Sequence, residues 1–178
     1  MFKYQSISVY GFLIILAGVS LLIKSDSNIT THALIVSLII ISSAIIAGIV
    51  ALKTSGNKVQ SRYHTLHGVG LLFYGIFLFF YPKTVSEFSD VTALFFIFYG
   101  FSEIIFCFWL FNLEAKISVF QLVLRLAMGF VFFLSSILMI GLRHPYQAAE
   151  LVSAGVIFII IGTQVIFTVP IVTKLNTV

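Results

Sequence analysis

In a chain this apolar, the first candidates for chemistry are ionisable residues inside the apolar runs. Two lie deepest, Glu103 in "FSEIIFCFW" and Arg125 in "LVLRLAMG". Either alone costs about 2.5–3.5 kcal/mol at the centre of a membrane helix, so each needs a partner. The turn between their two runs is centred near Glu114, with Glu103 eleven residues before it and Arg125 eleven after. Antiparallel neighbours at 1.5 Å per residue bring both to matching depth. The spacing predicts a buried ion pair or a charge-assisted hydrogen bond between them.

His64 and His67 are three apart and share one helix face. That pattern suits a metal or proton site, but a zinc site needs three or four ligands and no carboxylate or cysteine lies nearby in sequence. The two read instead as interfacial histidines beside Arg62 and Tyr63. His32 and His144 fall with Asp26, Glu87, Asp90 and Glu150 in loops on one side, where histidine titrates on acidification. This group reads as a solvated rim. Gln121 and Gln164 read as interhelical hydrogen-bonding amides. Cys107, the single cysteine, reads as a small buried hydrophobe. No nucleophile stands with a base, no glycine-rich phosphate loop is present, and no cofactor or metal is implied.

The elements that must position these residues are set by solvent. The chain is 60% apolar and 9% charged, too apolar for one soluble core of 178 residues. Whole windows lack a polar face, which places the helices in lipid. Six runs, at 7–23, 33–52, 63–81, 91–111, 117–142 and 151–172, have spanning length. Short charged breaks separate them. The predicted fold is an all-α integral membrane protein, a single six-span domain over 1–178. Its three antiparallel hairpins cover about 7–52, 63–111 and 117–172. Trp109, Phe111 and Tyr81 suit an interfacial aromatic belt. Seven Lys and Arg (Lys3, Lys53, Lys58, Arg62, Lys116, Arg125, Lys174) fall towards one side and three (Lys24, Lys83, Arg143) on the other. The positive-inside rule then puts both termini in the cytoplasm. The basic pI of 9.3 reflects this placement and implies no nucleic acid.

"GVGLLFYGIFLFFYP" carries Gly68, Gly75 and Pro82 at intervals of seven. The beat recurs as Gly11 and Gly18, and as Gly129 and Ser136. The even spans carry Ser43, then Ala93, Gly100 and Cys107, then Gly155 and Gly162. Gly11 to Gly68 is 57 residues and Gly68 to Gly129 is 61; Ser43 to Gly100 is 57 and Gly100 to Gly162 is 62. Two sets of anchors thus give nearly equal offsets, which reads as three two-helix repeats. Seven residues are almost two helical turns, so the small residues stack on one face. In lipid, helices associate through the close approach that small residues permit. Pro82 ends its span, and Pro145 takes that part in the third hairpin.

The pattern G-x6-G-x6-P, followed by a helix with the central glycine of "LFFIFYG", resembles the short repeat of the HdeD-like acid-resistance membrane proteins. The resemblance covers nearly the whole chain. The first copy departs with Ser25 in place of proline, and the third with Ser136 and a displaced Pro145. It implies a six-span protein of the bacterial inner membrane, associated with acid resistance, and carries over no catalytic residue. The expected function is non-enzymatic, in acid or envelope stress tolerance. The alternative is a small transporter or channel with a pathway between the hairpins, lined by small residues, Glu103 and Gln164. Prolines at span ends rather than at midplane speak against transport. The bilayer is the expected partner, and a homo-oligomer is left open.

Overall fold

Local chemistry fixes where the helices begin and end. The computed structural model describes residues 2–23, 29–112, 119–141 and 147–168. It contains α1 (Phe2–Leu22), α2 (Ile29–Lys53), α3 (Lys58–Phe80), α4 (Val85–Phe111), α5 (Val119–Gly141) and α6 (Gln147–Ile166). Asn57 caps α3, its side chain accepting from Gln60 N at 3.2 Å. At the other end of α3, Tyr81 N–H returns to Phe77 O and Pro82 follows directly. Thr84 and Glu87 then form a reciprocal capping box that starts α4. Glu87 is therefore a helix cap as well as a rim carboxylate. Ser25 and Pro145 lie outside the described residues.

The described residues form no strand. Five helices are long and apolar enough to cross a membrane, and α6 contributes a shorter apolar stretch, Glu150–Ile166. Large apolar side chains such as Phe12, Leu38, Phe73, Phe101, Leu134 and Val156 are exposed on all six helices. Monomers in water rarely expose so continuous an apolar surface. The chain is an all-α integral membrane protein.

Neighbour packs on neighbour from α1 to α5, and α6 returns to lie along α1 while also touching α4. The closest pairs are α2–α3, α4–α5 and α6–α1, and glycine makes each of them. A β-carbon on Gly18 would stand 2.5 Å from Gly155 O, and one on Gly11 2.9 Å from Gly162 O. One on Gly100 would stand 2.8 Å from Gly129 O, and one on Gly75 3.3 Å from Ser37 O. Gly68 lies against Ala44 O and Gly48 N with slightly more room. Ser136 is buried, its hydroxyl turned back to Phe133 O.

The tight glycine contacts join one hairpin to the next rather than the two arms of one hairpin, and α5 and α6 scarcely touch. In α2, Ala44 presents its carbonyl to Gly68. Ser43 donates to Tyr10 O on α1 at 3.0 Å. Gly70, outside the seven-residue beat, makes room for the Phe98 ring.

The core divides along its length. Towards the ends where α1, α3 and α5 begin, it holds the polar side chains described next. Beyond them Tyr74, Phe95, Phe96, Phe158, Tyr99 and Phe132 interlock, with Tyr74 and Phe95 stacked at 4.5 Å. Within this block Tyr74 and Thr92 share a hydrogen bond of 2.9 Å.

Candidate functional site

Glu103 is completely buried, and four groups surround its carboxylate. Arg125 Nη1 donates to Oε2 at 2.8 Å, so the ion pair spans α4 and α5. Tyr63 Oη donates to Oε1 at 2.8 Å from α3, and Gln164 Nε2 donates to Oε2 at 2.9 Å from α6. His67 Nε2 stands 3.2 Å from Oε1, but off line for a hydrogen bond. The Tyr99 ring closes over His67 at 4.7 Å.

Arg125 is as fully engaged. Its Nη1 also donates to Tyr63 Oη at 3.2 Å, and its Nη2 donates to Gln164 O and to Thr168 Oγ1. The guanidinium carbon lies 5.6 Å from the Tyr63 ring centre and 5.2 Å from that of Phe106. Charge, hydrogen bonds and aromatic faces together offset the cost of taking a guanidinium out of water.

The network continues sideways. Tyr10 Oη on α1 meets His64 Nδ1 at 2.8 Å, and His64 in turn stands edge-on to Tyr63. Side chains from α1, α3, α4, α5 and α6 or the turn that follows it thus meet in one polar cluster. From α2, Ser43 donates to the Tyr10 carbonyl. Several buried atoms of the cluster lack a hydrogen-bond partner: His64 Nε2, His67 Nδ1, Tyr99 Oη and Gln164 Oε1.

This arrangement corrects the reading of the histidines as interfacial. His64 and His67 are in the core at 0% and 1% exposure, and the carboxylate that sequence distance hid comes from the next helix. Even so, among the described residues no three His, Cys, Asp or Glu converge as metal ligands. Arg62 is the interfacial member of the segment, 5.9 Å over the Trp109 ring. Cys107 is buried with its Sγ 3.8 Å from Leu122 O. Gln121 lines a groove between α5 and α6. Glu150 accepts from Ser89 Oγ at 2.6 Å, so it ties α6 to α4 rather than lying free on a rim. Asp26 and His144 lie outside the described residues.

The glycines of the seven-residue beat sit between helix pairs, and the aromatic block packs the core beyond Glu103. Glu103 and Gln164 face each other inside the cluster. Sequence reasoning paired Glu103 with Arg125 but did not bring in Tyr10, Tyr63, Tyr99 or Thr168. The offsets of 57 and 61 carried a usable signal, because they map Ile7 onto His64 and His64 onto Arg125. Comparison with known proteins finds no matching family model, no matching curated protein and no matching solved structure.

Proposed function

We propose that the chain is a non-enzymatic, multi-span protein of the bacterial cytoplasmic membrane, of the HdeD-like kind, acting in tolerance of acid or envelope stress. Three copies of a two-helix unit build it. In support, Ala44, Gly100 and Gly162 each set a backbone carbonyl against a glycine of another pair, Gly68, Gly129 and Gly11 respectively.

The observation that carries the functional reading is the buried Glu103–Arg125–His67–Tyr63 cluster. A membrane protein gains nothing in solubility from such a group, and intramembrane ionisable residues mark function by default. The titratable groups facing Glu103 are Tyr63, His64 and His67 from α3, Tyr99 and Cys107 from its own helix, Arg125 from α5 and Tyr10 from α1. A proton added to Glu103 removes the counter-charge of Arg125. One added to His67 sets a second cation in the cluster. Either event acts on the contact of five helices at once, so proton binding and helix packing form one linked equilibrium. The aromatic block across the axis favours such a responsive core over a conduit.

The test is survival of acid challenge by cells that carry the chain, lack it, or carry Glu103→Gln, with proton flux measured on the purified protein in vesicles. Survival should fall in the last two strains, with no flux above empty vesicles. Proton or ion flux would establish transport instead, and equal survival of all three strains would remove the stress reading.

A further inference from the structure

Helices α5 and α6 are consecutive but scarcely touch, and a groove of about 560 Å³ lies between them. Each is fastened elsewhere. Gly100 and Gly129 lock α5 to α4, while Gly11 with Gly162 and Gly18 with Gly155 lock α6 to α1. Two close-packed pairs thus meet along one seam. At the end where α5 begins, polar contacts cross that seam. Arg125 Nη2 donates to Gln164 O and Thr168 Oγ1, and Gln164 Nε2 donates to Glu103 Oε2 at 2.9 Å. We propose that Arg125 is an acid-released latch: a proton on Glu103 frees it from Gln164 and Thr168, and the α4–α5 pair then parts from the α1–α6 pair at that end.

The geometry makes the latch depend on one charge. Arg125 Nη1 donates to Glu103 Oε2 at 2.8 Å, which holds the guanidinium in the core. Thr168 N–H turns to Val165 O at 3.0 Å, and Gln164 O accepts from Arg125 Nη2 and Thr168 Oγ1. Carbonyls in the last turn of a helix favour a cation, so Arg125 also serves the C-terminal end of α6. Once Glu103 is neutral, the guanidinium has no counter-charge, and a cation in that position moves towards the head groups. Arg125 lines the α5–α6 groove, which continues past Leu124 to Phe120 at the start of α5. Its departure removes both of its contacts on α6 in one step.

The latch rests on the proton-linked cluster proposed above and names what the proton moves. The titratable groups facing Glu103 are Tyr63, His64 and His67 from α3, Tyr99 and Cys107 from α4, Arg125 from α5 and Tyr10 from α1. From α6 and the turn after it come the uncharged Gln164 and Thr168. A proton on His67 leaves Glu103 charged and Arg125 paired, so Glu103 is the group that releases the latch. The far end of the seam has its own carboxylate, Glu150, which accepts from Ser89 Oγ at 2.6 Å. Between the two ends Phe96 packs on Phe158 at 5.4 Å and serves as the pivot.

The experiment uses the full chain in phosphatidylcholine vesicles, spin-labelled at Val9→Cys on α1 and Val123→Cys on α5. Both positions are exposed, and the native Cys107 is buried. Pulsed EPR reads the distance between the two helix pairs from about pH 8 to about pH 4, the range in which histidine and carboxylates titrate. Falling pH should lengthen it by about 2 Å, the scale of helix shifts at interfaces. A second label pair, Phe101→Cys with Phe130→Cys, spans the Gly100–Gly129 contact and should stay constant. Glu103→Gln should show the long distance at every pH. Thr168→Val removes one acceptor of Arg125 and keeps the charge pair. It favours the open form, which is the form that binds the proton, so the midpoint should rise by about one pH unit. Glu150→Gln should leave the midpoint unchanged. If Glu103→Gln fails to fold, the Thr168→Val shift still decides. A constant Val9–Val123 distance, lengthening of both label pairs together, an unmoved midpoint in Thr168→Val, or a midpoint set by Glu150 would each overturn the latch. The readout needs no cells, so loss of acid survival in Glu103→Gln beside a constant distance removes the latch and leaves the stress reading standing.

Discussion

At the residue scale, the Glu103–Arg125 pair decides what the core tolerates. Glu103→Gln leaves a buried guanidinium without its counter-charge and should destabilise by about 3 kcal/mol, measured by unfolding in mixed micelles. Arg125→Met strands the carboxylate and also frees Gln164 O and Thr168, so it should cost at least as much. The double variant should fall short of the sum by about 1–3 kcal/mol. Additive losses would show that the two charges do not interact in the membrane. Tyr63→Phe tests the third member separately. It removes the donor to Glu103 and an acceptor for Arg125, and should cost about 2 kcal/mol with the fold retained. A change below about 0.5 kcal/mol, the usual effect of a surface substitution, would mean that the phenol is a bystander. The juxtaposition of Glu103 and Arg125 was legible because a short turn makes depth a matter of counting residues. The roles of His64, His67 and Tyr63 were not, since partners from helices distant in sequence have no common reference until the packing order is known. The rule that ligands should be near in sequence misled there, as Glu103 lies 36 residues from His67.

At the element scale, apolar runs locate the spans, while caps and prolines set their ends. The run at 91–111 omits the first turns of α4, which begins at Val85 because Thr84 and Glu87 cap it. That signature, T-x-x-E after a proline, was readable in the chain. Among the described residues α6 ends at Ile166, and the last residues of the run to 172 lie outside them. The seven-residue beat showed which helix faces are small but not which helix each face meets. Contact between successive pairs depends on how the pairs are arranged around the axis, a tertiary property. Glycines of one composition therefore differ in consequence. Gly162→Ala drives a methyl group into the Gly11 carbonyl and the Ile15 backbone, and should cost about 1–3 kcal/mol. Gly48→Ala meets nothing within 4 Å and should be neutral or stabilising by up to about 1 kcal/mol. Melting of the two purified variants in one detergent distinguishes them, and equal melting would mean that the α1–α6 contact is not close-packed.

At the scale of the whole molecule, the polar cluster lies at the end of the bundle where α1, α3 and α5 begin. That is also the end with more basic residues. Arg125 leaves that tally, because it is paired inside the core rather than set at the surface. The bias becomes six against three, with Lys3, Lys53, Lys58, Arg62, Lys116 and Lys174 on the richer side. The positive-inside rule still predicts cytoplasmic termini, and so a cluster in the cytoplasmic half of the membrane. Cysteine labelling tests this cleanly because the native Cys107 is buried. The α2–α3 turn should be probed at Gly56, whose β-carbon would meet nothing, rather than at Asn57, which caps α3. Gly56→Cys should resist a membrane-impermeant maleimide in intact cells and react once they are permeabilised. Ser86→Cys, at the start of α4, should react in both. The reverse pattern would place the cluster in the outer half of the membrane. The consequence is functional: with the predicted orientation, the proton activity nearest to Glu103 and His67 is that of the cytoplasm. The core would then respond to acid that has already entered the cell, and lowering internal pH at fixed external pH should reproduce the response.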